Sequence, residues 1–167
     1  MSKARMSKVL HVAVTAFCAV VVLAGSVFVG AAVAADRKPE DAVKYRKGVL
    51  TGLAWHFGPV VAMAKGEAAL DQVQLSDRAA ALAALSDMLG EGFVAGTAMG
   101  QIEGTKLKPE IWSDSADFQK KLQALQTATA ALVSASASGS LSQGDLGKHV
   151  SAIGGSCKGC HDSYRAK

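Results

Sequence analysis

Behind a basic start and a long, largely apolar run, the hydrophobic positions of this chain recur at three- and four-residue steps in four separate blocks. In the first block the spacing picks out Val43, Arg46, Leu50, Leu53, Phe57 and Val60, the period of an amphipathic helix. Pro39 suits the first helical position, and Glu40 and Asp41 suit the positive end of the helix dipole. Gly58-Pro59 predicts a kink or short break, and Gly66 a stop. The second block opens at Ser76-Asp77 and carries Ala79, Leu82, Leu85 and Leu89 before Gly90. The third opens near Asp114 and Ser115, carries Phe118, Leu122, Leu125, Thr129 and Leu132, and ends around Gly139. The fourth opens on Ser142-x-x-Asp145, a capping box, and carries Leu146, Val150, Ile153, Cys157, Cys160 and Tyr164.

No segment shows sustained period-two alternation with β-branched enrichment, so strands are not expected. Four helices of this length predict an all-α domain, an antiparallel four-helix bundle. Residues 91–113 form its one long connection, rich in glycine. Phe93, Ile102, Leu107, Ile111 and Trp112 predict that this connection packs down on the bundle.

The opening segment changes the reading of composition. Lys3, Arg5 and Lys8 precede an apolar run over 9–33, and Ala32-Val33-Ala34 supplies a small-residue cleavage site. Residues 1–34 thus read as a secretory signal peptide, and 35–167 as the mature domain of roughly 130 residues. A second reading keeps the run as an uncleaved anchor, since ~20 apolar residues span a bilayer. The A-x-A site and the glycines and alanines late in the run favour cleavage, and with it a periplasmic protein without stable membrane association. Removing those three cations takes the formal charge from +4 to about +1, so the basic balance implies no nucleic-acid partner. Cys18 leaves with the signal, and no disulfide remains available.

Candidate chemistry sits near the C-terminus, in Cys157-Lys158-Gly159-Cys160-His161. C-x-x-C-H is the attachment signature of a c-type haem: two thiols add across the vinyl groups and the adjacent imidazole ligates iron. On a helix the i, i+3, i+4 spacing puts all three residues on one face. Half of a zinc site is the rival reading, but His11, His56 and His149 form no second ligand pair. A redox C-x-x-C is expected early in a βαβ pattern, not at the end of a helical chain.

A C-x-x-C-H motif on the last helix of a four-helix chain resembles the class II c-type cytochromes, and within them cytochrome c′. Further stretches carry the resemblance. Lys38-Pro39-Glu40-Asp41-Ala42-Val43-Lys44-Tyr45-Arg46 is similar to the start of the family's first helix, and Trp55-His56-Phe57-Gly58 continues it. Pro109-Glu110-Ile111-Trp112-Ser113-Asp114 is similar to the lead into its third helix. Ser156-Cys157-Lys158-Gly159-Cys160-His161-Asp162-Ser163-Tyr164-Arg165 is similar to its last helix.

The resemblance implies one covalent haem c per chain, with His161 proximal and Leu50 facing the other side of the iron. Low-spin relatives have Met where this chain has Leu50, and leucine can only occlude. Met63, Met88 and Met99 are expected as flexible core filler. His56 lies about 240° round the helix from Leu50 and is the weaker rival ligand. His149 is expected in solvent. By the same resemblance Phe93 lines the distal side, Arg46 lies near the haem propionates and Arg165 lies on the proximal face. The plain alternatives are a solvated Arg46 and a frayed terminal Arg165. Gly90 stands where some relatives carry an aromatic, which implies a roomier distal side.

The function implied is a five-coordinate haem protein that binds NO and CO, with NO buffering as its role. An electron-transfer cytochrome with an unknown redox partner is the alternative. A peroxidase is discounted, because Leu50 and Phe93 offer no general base. The family commonly pairs through its first two helices, and Ala79-Ala80-Ala81 and Ala83-Ala84 allow close approach, so a homodimer is expected.

Overall fold

The structure, a computed structural model, describes residues 38–167. The expected signal peptide, with Cys18 and His11, lies outside the described residues. The described part is helical: α1 Pro39–Lys65, α2 Gln72–Met88, a 3-10 turn Leu89–Gly92, α3 Glu110–Ser113, α4 Ser115–Ser136 and α5 Gln143–Tyr164. The one extended pairing among the described residues is an isolated bridge, Leu107 with Arg165. Four long helices make an all-α four-helix bundle, and α3 is a single turn within the long connection.

The four long helices form a ring in which α1 packs on α2, α2 on α4, α4 on α5 and α5 back on α1. Its core is drawn from every helix, including Val60, Met63, Leu75, Leu82, Leu132, Leu146 and Ile153. Short turns follow α1 and α4, where Gly66 and Gly139 adopt positive φ of 75° and 64°. That left-handed conformation is open to glycine at little steric cost.

Two predicted boundaries need correction. Helix α2 begins at Gln72, not at Ser76-Asp77, because the Asp71 side chain accepts from the Val73 and Gln74 N–H groups at 3.0 Å each. The earlier start carries Leu75 into the core, where it is fully buried. Helix α1 runs through Gly58-Pro59 without a break. The carbonyl that the proline ring leaves unpaired belongs to Trp55, whose residue is largely exposed, so water can satisfy it. Val60 and Met63 then bury beyond it and hold the helix to the core.

The long connection packs down as its apolar residues predicted, with Thr97, Ala98, Leu107 and Ile111 all buried. It closes one end of the bundle. There the Tyr45 hydroxyl donates to the Met88 carbonyl, while Lys108 N–H donates to the Tyr164 carbonyl. This end therefore gathers the start of α1, the ends of α2 and α5 and the beginning of α4. The opposite end is tied by Gln72 Nε2 donating to the Leu141 carbonyl and Gln143 Nε2 to the Ala64 carbonyl.

Candidate functional site

The C-x-x-C-H motif lies in the last two turns of α5, at the end covered by the connection. Ser142 caps the start of this helix by accepting from Asp145 N–H. Leu146 and Ile153 bury one stripe of it, and that stripe continues into Cys157, Cys160 and Tyr164. Cys157 packs against the main core, while Cys160 packs against a second cluster of Leu107, Ile111, Phe118 and Tyr164. Phe93 and Leu122 pack on both clusters. The two thiols, one helical turn apart, therefore address the seam between the clusters.

Both cysteines are half-buried and free. Burial pushes both thiols above their ordinary pKa, with Lys121 partly opposing this at Cys160. They stand as neutral thiols at pH 7. His161, at the exposed edge, has its pKa lowered first by desolvation and then by the Arg165 cation, with Asp162 opposing. The neutral imidazole that results is the form that ligates a metal. Arg165 is exposed, but its backbone is pinned: its N–H donates to the His161 carbonyl and the residue pairs with Leu107. A frayed terminus does not describe it.

Arg46 is not a solvated helix residue. It is 5% exposed. Nη1 donates to the Gly92 carbonyl at 2.8 Å and to Thr97 Oγ1 at 3.1 Å. Nη2 donates to the Thr97 carbonyl at 3.3 Å and to Thr105 Oγ1 at 2.9 Å. The four terminal N–H hydrogens thus all meet acceptors in the connection. The guanidinium also lies 5.2 Å from the centre of the Phe93 ring. Phe93 packs edge-on against Phe118 at 4.7 Å, and Phe118 edge-on against Tyr164 at 5.8 Å. This aromatic chain links the connection to α4 and then to α5 beside the motif.

Leu50 lies one turn beyond Arg46, on the same stripe of α1. It is 37% exposed, whereas its neighbours Val49 and Leu53 are buried. His56 turns toward α2, where Arg78 Nη1 lies 3.4 Å from its Nδ1. His149 is half-buried rather than fully solvated. Met63 is core filler as expected, but Met88 and Met99 are exposed and fill nothing. Met88 ends α2 beside Tyr45 of α1, and Met99 sits in the connection. A side chain at Gly90 would begin 3.1 Å from a Leu122 methyl.

An open groove of about 630 Å³ between α4 and α5 is lined by residues such as Ala124, Ala128, Ala131 and Ala152 and by none of the motif residues. The chemistry lies elsewhere, at the seam. The residues there fit a c-type haem: paired free thiols facing apolar clusters, an imidazole one residue on, and a buried indole donor, Trp112 Nε1, without a partner. Sequence reasoning missed the roles of Leu122, Trp112 and the Arg46 acceptors Thr97 and Thr105. Leu122 and Tyr164 carried a local signal as members of the α4 and α5 stripes, and Trp112 as an apolar residue of the connection, but none of these signals pointed to the site.

The family model described as Cytochrome C' matches residues 41–165. The chain belongs to the cytochrome c′ family. It is 42% identical over 130 residues to cytochrome c′ of Alcaligenes xylosoxydans xylosoxydans, which covers 78% of this chain and 97% of that one. The structure of cytochrome c prime from Shewanella frigidimarina superposes with a TM-score of 0.71 at 39% identity, over 78% of this chain and 98% of that chain. A ferrous variant of the Alcaligenes xylosoxidans protein with bound NO superposes with a TM-score of 0.69 at 41% identity, over 78% and 97%. Cytochrome c′ proteins hold haem c covalently, and this chain presents Cys157 and Cys160 in the matching C-x-x-C-H motif.

Proposed function

We propose that this cytochrome c′ is a periplasmic haem protein that binds NO and CO at a five-coordinate iron and buffers NO. The observation that carries the reading is the set of side chains around α1. Leu50 lies one turn past Arg46 on α1 and has no ligating atom. Met63 is buried toward the far end of the helix, and His56 is turned to α2. In this reading Leu50, Met63 and His56 all leave the coordination sphere open. The NO-bound relative supports the choice of ligand.

In this reading Cys157 and Cys160 anchor the group through thioethers and His161 supplies the proximal imidazole. The haem supplies an iron able to take a diatomic ligand when it is bound. Leu50 and Phe93 surround the ligand side with hydrocarbon. An apolar wall offers a polar ligand such as O₂ no hydrogen bond, whereas NO and CO depend less on one. Arg46 acts on the site through the connection that it holds down, and its charge offsets the propionates at a distance. Arg165 places a cation beside His161. Neither Leu50 nor Phe93 can transfer a proton, so the role is binding rather than catalysis. Residues 1–34 are the export signal, and 35–167 the mature domain.

Absorption spectra of the ferric and ferrous protein, before and after NO and CO, test the proposal. High-spin spectra that convert on adding either gas are expected. A six-coordinate low-spin spectrum of the ligand-free protein, unmoved by CO, would overturn the reading in favour of an electron carrier.

A further inference from the structure

Among the described residues two buried side-chain polar atoms lack a hydrogen-bond partner, Gln72 Oε1 and Trp112 Nε1. Gln72 stands at the end of the bundle remote from the motif, where its Nε2 donates to the Leu141 carbonyl. Trp112 stands at the motif end. Its helix α3 follows a segment hydrogen-bonded to the last residues of the chain: Lys108 N–H donates to the Tyr164 carbonyl at 2.9 Å, and Ala166 N–H to the Lys106 carbonyl at 2.8 Å. The Trp112 ring packs on the cluster of Leu107, Ile111, Phe118 and Tyr164 that also receives Cys160.

An indole N–H can only donate. A buried donor without an acceptor is rare in native structures and calls for an explanation such as an absent ligand. A c-type haem brings two strong acceptors, its propionate carboxylates, because its pyrrole nitrogens are committed to iron. Arg46 has its four terminal N–H hydrogens engaged by Gly92, Thr97 and Thr105. The propionates are acceptors that gain from a buried donor, and Trp112 holds an unspent one on the cluster that receives Cys160.

We propose that the Trp112 indole N–H donates a hydrogen bond to a haem propionate in the holoprotein. The proposal rests on covalent haem at the α5 motif. A hydrogen bond to an ionised carboxylate is charge-assisted and stronger than one to a neutral acceptor. It also ties the connection to the cofactor: α3 would be held by the C-terminal residues on one side and by the haem on the other.

The test uses holoprotein carrying Trp55→Phe. The chain has two tryptophans, and Trp55 is 72% exposed, so this variant isolates the Trp112 signal without touching the site. Ultraviolet resonance Raman spectra should place the indole N–H band at a hydrogen-bonded position. Adding Trp112→Phe should shift the propionate bending band excited through the Soret transition, with haem content unchanged. An indole band at the free position, or an unshifted propionate band in folded, haem-loaded Trp112→Phe protein, would overturn the proposal. Should Trp112→Phe fail to fold, NMR of the isotopically labelled ferrous CO complex decides. A nuclear Overhauser contact between Trp112 Hε1 and a propionate methylene supports the assignment, and its absence rejects it. Loss of haem in acid-acetone extraction would instead sink the covalent-haem reading beneath it.

Discussion

Arg46 and Leu50, four residues apart on α1, answer to opposite demands. Arg46 is a charge taken almost wholly out of water, and burial lowers its pKa. Its desolvation is compensated by bonds to acceptors 46 to 59 residues away in sequence. The connection must come very close for this: a Cβ on Gly92 would lie 2.8 Å from Arg46 Cβ and 3.0 Å from its Cα. Gly92→Ala should therefore push the connection off α1 and cost roughly 2–3 kcal/mol, as overpacking and weakened buried hydrogen bonds do. Denaturant unfolding of the holoprotein measures the loss, and an unchanged midpoint would refute the close approach. Leu50, by contrast, is partly exposed and free to be trimmed. Leu50→Ala should speed CO association several-fold, because displacing a bulky apolar group costs contacts on the order of 1 kcal/mol. If the association rate does not change, Leu50 is not the gate.

At the scale of elements, each helix is set by its ends as much as by its stripe. Helix α2 starts at the Asp71 cap rather than at Ser76-Asp77, although either residue type can cap a helix, and the earlier start buries Leu75. Asp71→Ala should cost about 1 kcal/mol, the usual worth of an N-cap, and lower the melting temperature by about 4 °C. Ser76→Ala should change little. The junction of α4 and α5 carries a pH dependence. The Tyr164 hydroxyl donates to Asp117 Oδ2 at 2.8 Å, and desolvation, followed by that bond, pushes the phenol up to about 12. The folded state thus favours the neutral phenol. Its contribution to stability is complete below the unfolded phenol pKa of about 10 and is lost as pH rises from there toward 12. Tyr164→Phe should therefore show a shallower fall in melting temperature over that window than the wild-type protein. Parallel curves would reject the assignment.

For the whole molecule, large apolar side chains stand exposed on α1 and α2. Trp55 is 72% exposed and Val73 74% exposed. Gly48 and Gly58, at helical spacings from Trp55, have no atom within 4 Å of where a side chain would begin. Of the alanines on α2, Ala79 is consumed by the core, while Ala80 and Ala84 face outward. In the homodimer that the resemblance leads one to expect, this projecting indole and the open glycines beside it would lie at the two-fold interface. Light scattering at micromolar concentration should give twice the chain mass, and Trp55→Glu should reduce it toward the monomer. A monomeric mass for the wild-type protein would reject the pairing.

The chain encodes in short range whatever repeats at three and four residues. The helical class, the one-face arrangement of Cys157, Cys160 and His161, the Ser142 cap and the glycine stop after α1 are all legible there. The reason is that helical geometry makes near neighbours in sequence near neighbours on a surface. Tertiary structure alone decided the rest. It carried α1 on through Pro59 without a break, because core contacts on either side outweigh a local preference. It left Met88 and Met99 outside. It made Arg46, expected near the haem propionates, the buried anchor of the connection, and left Trp112 Nε1 buried without an acceptor. Those outcomes depend on how residues 89–114 fold back over one end of the bundle, and so on contacts between residues distant in sequence that no local period records.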